Sequence, residues 1–314
     1  GIDDRHLDQA KRPLQEHIDE WFQTLKEEQI TEDRQSLMRQ RMDKLIELAG
    51  WKRLHDITES STRKALNKLK TKQGNEVSPQ TWNHYLCHVK QFINFCIPER
   101  LESNPLKKLG SKNVEVDQRH ARRNLTEDEQ ERLLRCTEAS KVVRFNMDGP
   151  TRAMLYRVAL GTGFRRGELQ SLTPESFNST NRTLTLAAKV SKNRKPVSQK
   201  LMKWLVAPLQ QWIAECRPLW PNLTYHSAKM IQADMKAAGI CYRIDGPNGP
   251  EFADFHALRH TYCTMVSRLP LTVKEMMKLT RHSCSRLFIE RYAKASDSRI
   301  DESLNQMPDP TREQ

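Results

Sequence analysis

Residues 255–262 read FHALRHTY. Placed on a helix, His256 and Arg259 fall one turn apart on the same face. A guanidinium offers a rigid fork of donors that can hold two phosphate oxygens at once. An imidazole beside it can donate a hydrogen bond or carry a proton. His260 lies roughly 100° further round and reads as structural. Taken alone, His-x-x-Arg is polar decoration at a helix start, so the flanking chain must decide what it is.

Upstream, TGFRRGEL (162–169) closes one helix at Gly161 and Gly163 and opens another at Arg165, with Glu168 one turn on. A phosphate-cradling loop needs a preceding strand and more glycine than this, so the glycines mark a turn. Arg165 and Glu168 are spaced for a local ion pair. Between the two stretches lies the one persuasive β region. RTLTLAAKV (182–190) alternates apolar and polar residues, SKNRK (191–195) turns, and PVSQ (196–199) continues as a partner strand. Downstream, LTRHS (279–283) carries His282, and LFIERYAKA (287–295) is an amphipathic helix bearing Tyr292. Tyr156, Tyr225, Tyr242 and Tyr262 hold no comparable position after His282 and read as core or surface residues.

In chain order these give Arg165, a lysine-bearing hairpin, His256-x-x-Arg259, His282 and Tyr292. That order and spacing resembles the tyrosine recombinase (phage integrase) family, over most of the chain. TGFRRGEL looks like the family's first arginine box, and FHALRHTY with LTRHS and ERYAK like its second. The helical N-terminal region, ending in FINF and ESNPLKKL, is similar to the family's core-binding domain. One position departs: the family has Gly-His where this chain has Arg281-His282, which sets a cation in place of a flexible turn residue and offers a further phosphate contact.

The resemblance implies a mainly α fold with a small β-sheet, a helical core-binding domain and an α+β catalytic domain. It also implies a site. Tyr292 attacks a DNA phosphorus, Arg165 and Arg259 grip the non-bridging oxygens, and His256 acts as general acid or base. His282 hydrogen-bonds a phosphate oxygen, and a hairpin lysine protonates the departing 5′-hydroxyl. Lys192, at the turn, is the first choice for that lysine, ahead of Lys189. Energy kept in a 3′-phosphotyrosine makes ATP, metal and any other cofactor unnecessary. The implied partner is double-stranded DNA at specific recombination sites, held by a homotetramer. Two other readings compete: a type IB topoisomerase, and a catalytically silent DNA-binding protein of the same fold.

Periodicity organises the rest. Apolar positions recur every three or four residues in SPQTWNHYLCHVKQFINFCI (78–97), with Ser78 as N-cap and Pro79 at the first helical position. Similar patterns mark helices near LQEHIDEWFQTL, residues 37–48 and TESSTRKALNKLK. The expected organisation is an acidic N-terminal helix or arm (1–33), a helical core-binding domain (34–110), a polar linker (111–124) and a catalytic domain (125–314). The last opens on a capping box at Thr126 and Glu129.

Charge agrees with a polyanionic partner. The net charge is +13, with −6 on residues 1–33, +7 on 34–118 and +12 on 119–314 by count of the sequence. A basic excess shared by two regions suits a nucleic acid that both touch, clamped from opposite sides. The 7 cysteines include no CxxC pair, which argues against a disulfide framework or zinc module and for a reducing compartment. No apolar run approaches the roughly 20 residues that span a bilayer, and the polar, acidic start is no secretory signal. The expected location is the cytoplasm, on the nucleoid.

Overall fold

Short polar side chains, Thr58, Ser78, Thr126, Asp148, Asp254 and Thr272, each accept from the first turn of the helix that follows. The computed structural model describes residues 4–117, 119–188, 196–217, 219–220, 223, 227–246 and 249–292. The chain divides into two units, residues 1–119 and 120–314.

The first unit holds α1 (Asp4–Lys11), α2 (Leu14–Glu27), α3 (Glu32–Ala49), α4 (Glu59–Asn67) and α5 (Pro79–Cys96). Thr58 caps α4, and Ser78 caps α5 by accepting from the Thr81 amide. Trp82, Leu86, Val89, Phe92, Ile93 and Cys96 share the inward face of α5 and are buried. Each large aliphatic or phenyl side chain so buried contributes about 1.5–3 kcal/mol. Leu14, Ile18 and Trp21 of α2 and Met38, Met42 and Leu45 of α3 complete that core. The acidic first segment therefore supplies α2 to the packing, while its carboxylates, such as Asp19, stay solvated.

The second unit holds α6 (Glu127–Glu138), α7 (Gly149–Thr162), α8 (Arg166–Gln170), α9 (Lys203–Ala214), α10 (Ser227–Ala237), α11 (Phe255–Ser267), α12 (Val273–Thr280) and α13 (Ser285–Tyr292). The Thr126–Glu129 capping box forms as the sequence predicts. Helix α7 is buried nearly all round, as a helix apolar on every side must be. Its Arg152 is fully buried, yet it pairs with Asp234 at 2.8 Å and donates to the Val142 and Met147 carbonyls. A cation survives there only because each donor group finds an acceptor.

Among the described residues, two three-stranded sheets accompany these helices. The first contains β2 (Phe177–Asn178), β3 (Thr183–Leu186) and β4 (Val197–Lys200), all antiparallel, with Thr183 opposite Lys200 and Leu186 opposite Val197. This is the hairpin that the alternating pattern predicts. Its turn, with Lys189, Lys192 and Lys195, lies outside the described residues.

The second sheet was not expected from the sequence. It runs β1 (Ala121–Arg122), β6 (Gly249–Phe252), β5 (Arg243–Gly246), with β1 parallel to β6 and β5 antiparallel to it. Its strands are short, rich in glycine, proline and charge, and carry no alternation. The pairing of β1 with β6 is remote in sequence, so local pattern cannot show it. By contrast, β5 and β6 stand only two residues apart, with Gly246 opposite Gly249, and the sequence reading passed over the DGPNG turn signal at 245–249. The end of the polar segment 111–124 is thereby tied down: the Arg123 amide donates to Phe252, and its guanidinium to Glu129 and Cys241.

Candidate active site

Helix α11 begins at Asp254, whose carboxylate accepts from the Ala257 amide at 3.0 Å. The same carboxylate pairs with Arg122 at 2.9 Å and with His120 at 3.1 Å. Two residues on stands His256, and one turn further Arg259. Burial, reinforced by the positive charges of Arg122 and Arg259, pushes the His256 imidazole down to about 4. Arg165 acts in the same direction and Asp254 against it. His256 is therefore neutral near pH 7, a proton acceptor set among three arginines.

Arg259 is 3% exposed. One terminal nitrogen donates to the Gly163 carbonyl and the other to the Thr280 carbonyl, both at 2.6 Å. The guanidinium thus ties α11 to the ends of α7 and α12. Gly163 has φ 61°, and a Cβ there would lie 2.3 Å from the Tyr262 ring. Only glycine combines that backbone with that approach.

Arg165 opens α8. Its amide donates to Glu168 at 2.7 Å and its guanidinium at 2.9 Å, so the local ion pair expected from the spacing is formed. The side chain is 34% exposed and lines a cleft of about 800 Å³, together with Glu168, Leu186, Val197, Arg281 and His282. Leu186 and Val197 are the hairpin ends next to the turn that carries the candidate lysines.

Tyr292 is 6% exposed and closes α13. With Phe288 it packs on Tyr262, Cys263 and Val266 of α11 and Met276 of α12. Its ring lies 4.9 Å from His260 and 5.4 Å from His282, and Ser267 donates to its carbonyl at 2.8 Å. The Tyr292 side chain packs beside Cys263 on the helix that carries Arg259. His282 pairs through Nδ1 with the Thr280 hydroxyl at 2.8 Å. Tyr292 is not part of the cleft wall.

Arg165, His256, Arg259, His282 and Tyr292 are thus drawn from three helices and a loop into one neighbourhood. Lys192 and Lys189 lie outside the described residues. Arg281 takes φ 56° and ψ 43° as the left-handed cap of α12, a backbone that favours glycine. Its guanidinium stacks over Phe164 at 4.3 Å, pairs with Glu168 at 2.9 Å, and donates to Gln199 and the Gly163 carbonyl. The extra cation seen in the sequence is engaged by protein groups. Burial alone would raise the Glu168 carboxyl, but Arg281 and Arg165 outweigh it and hold the group below the usual carboxylate range. The sequence reading missed Gln199, Cys263, His260 as a neighbour of Tyr292, and Glu168 as an acceptor shared by two arginines. Each acts through a contact remote in sequence, and only the Arg281 departure hinted at one of them.

The sequence model of the Phage integrase family matches residues 123–299. That is more than half of the chain, which belongs to this family. In fold the chain is similar to the Tn1549 transposon integrase, solved in complex with transposon right end DNA, at 17% identity and TM-score 0.66 over 90% of this chain and 96% of that one. It is similar as well to a lambda integrase dimer bound to a COC′ core site, at 15% identity and TM-score 0.66 over 91% and 79%. A lambda integrase tetramer bound to a Holliday junction matches at 15% identity and TM-score 0.65 over 92% and 81%. No curated protein matches significantly.

Proposed function

We propose that this chain is a site-specific DNA recombinase that cleaves and rejoins strands through a 3′-phosphotyrosine, with Tyr292 as nucleophile. The observation that supports this most is the seat of Tyr292, against His260 and His282 and packed on α11, the helix that carries His256 and Arg259. A phenol titrates near 10, so attack requires a proton acceptor and stabilisation of the charge on phosphorus. His256, neutral at pH 7, can take the proton. Arg165 and Arg259 hold the non-bridging oxygens, and His282 hydrogen-bonds one of them. The leaving 5′-oxygen takes its proton from a hairpin lysine, Lys192 before Lys189. One phosphoester replaces another, so a 5′-hydroxyl from a second strand can reverse the step. Neither ATP nor metal enters the scheme.

The partner in this reading is duplex DNA at two sites, bridged by four copies, as the lambda integrase tetramer on a Holliday junction suggests. Among the described residues no helix is long and apolar enough to cross a membrane, and the work is done on the nucleoid.

The test is a nicked duplex drawn from the DNA flanking the gene, which traps the covalent product. Wild type should give an SDS-resistant adduct mapping to Tyr292. Tyr292→Phe should bind the duplex as tightly and give none; an adduct of normal yield removes Tyr292 from the role. Binding by wild type with no adduct would favour the silent DNA-binding reading. Relaxation of a plasmid lacking any recombination site would favour the topoisomerase.

A further inference from the structure

Building on the recombinase reading, we propose that Arg281 is a positioning residue: through Glu168 it holds the Arg165 guanidinium open toward the DNA phosphate, and through Gln199 it holds the hairpin strand against the same turn.

The argument starts at the Glu168 carboxylate, whose side chain is 7% exposed. Oε1 accepts from the Arg165 guanidinium at 2.9 Å. Oε2 accepts from the Arg165 amide at 2.7 Å and from Arg281 at 2.9 Å. Two guanidiniums share one anion, so a net positive charge is left at the cleft. Were Arg281 removed, the half-vacated Oε2 of a buried carboxylate would draw Arg165 into a two-pronged pairing, the geometry guanidinium and carboxylate prefer. The donors so captured are those the phosphate needs.

The second contact runs to β4. Arg281 donates to the Gln199 side-chain oxygen. Gln199 in turn donates to the Thr162 carbonyl at 2.6 Å and the Tyr262 hydroxyl at 3.0 Å. A single side chain therefore joins the turn bearing Arg165, the hairpin, and the end of α12 that precedes His282. Arg281 has an acceptor for each of its four terminal N–H groups, Thr162 and Gln199 on one nitrogen and Gly163 and Glu168 on the other, whereas Arg259 uses one on each nitrogen. It therefore acts through Arg165.

The experiment compares wild type, Arg281→Gly and Arg281→Lys in single-turnover cleavage of the nicked duplex, alongside Kd and thermal melting. Glycine suits the left-handed backbone. With DNA affinity changed by no more than about 2-fold, cleavage by Arg281→Gly should fall at least about 10-fold, the scale of a misplaced reacting group. Arg281→Lys should fall between, because an ammonium lacks the planar fork that serves Glu168 and Gln199 together. A methylphosphonate at the scissile position removes one charged oxygen and with it much of the need for Arg165. On that substrate the deficit should shrink to about 2-fold, since less transition-state charge remains to be held. Cleavage by Arg281→Gly at the wild-type rate would overturn the proposal, and so would equal deficits on both substrates. Should Arg281→Gly fail to fold, the Arg281→Lys deficits on the two substrates decide by the same rule. If wild type binds but forms no adduct, the recombinase reading itself falls and the proposal with it.

Discussion

At His256, packing holds the imidazole neutral. The imidazole is pushed from 6.5 to about 4, by burial first and then by Arg122 and Arg259. A lowered pKa means the folded state binds a proton less readily than the unfolded chain. The associated stability is whole above about pH 6.5 and is lost as pH falls toward about 4, to a limit on the order of 3 kcal/mol. His256→Gln should flatten the urea midpoint against pH across that window. His88 in the first unit is also pushed to about 4, so the quantity to compare is the difference between wild type and variant; parallel curves would contradict the assignment. Gly163→Ala meets both a left-handed backbone and the Tyr262 ring. It should lower stability by about 2–4 kcal/mol, visible in Tm. At this scale the sequence exposed the chemical identities, because His256, Arg259, His282 and Tyr292 sit at recognisable spacings. It did not expose the Arg281–Glu168–Gln199 linkage, whose members lie in three separate stretches.

Among the elements, those defined by local rules were the legible ones. The caps of α5 and α6 and the β3–β4 pair follow from neighbouring residues alone. Helix α6 gives a test of how local and tertiary contributions differ. Thr126→Ala removes one cap and should cost about 1 kcal/mol. Glu129→Ala also strands Arg123, which is 8% exposed and bonds to Glu129 at 2.7 Å. Leaving a buried cation without its anion should cost about 3–5 kcal/mol. Equal losses in chemical denaturation would show that the pair contributes nothing beyond the cap. In the sheet β1-β6-β5 the two-residue β1 has no periodicity to read and pairs far along the chain, whereas β5 and β6 are a local pair hidden by their glycine, proline and charge.

For the whole molecule, the +13 charge should be expressed as salt dependence. Binding that neutralises six to ten phosphates should weaken by roughly 10³-fold or more between 50 and 200 mM salt. A flat titration would remove the phosphate-led account of binding. Strand cleavage should be unchanged in EDTA, since the proposed groups are guanidinium, imidazole, amine and phenol. Strict dependence on a divalent cation would require another mechanism.

Periodicity and local caps were enough to set out a mainly helical chain with the β3–β4 hairpin, and the order of Arg165, His256-x-x-Arg259, His282 and Tyr292 carried the family resemblance from which the site is proposed, because each is written in neighbouring residues or in their order along the chain. The tertiary structure alone decided which groups meet: that Arg259 spans two helix ends, that His256 is stripped of its proton, that Tyr292 rests on Cys263, and that the cation at 281 serves Glu168. Those outcomes depend on burial and on distances between segments far apart in the chain, and neither quantity exists until the chain has packed.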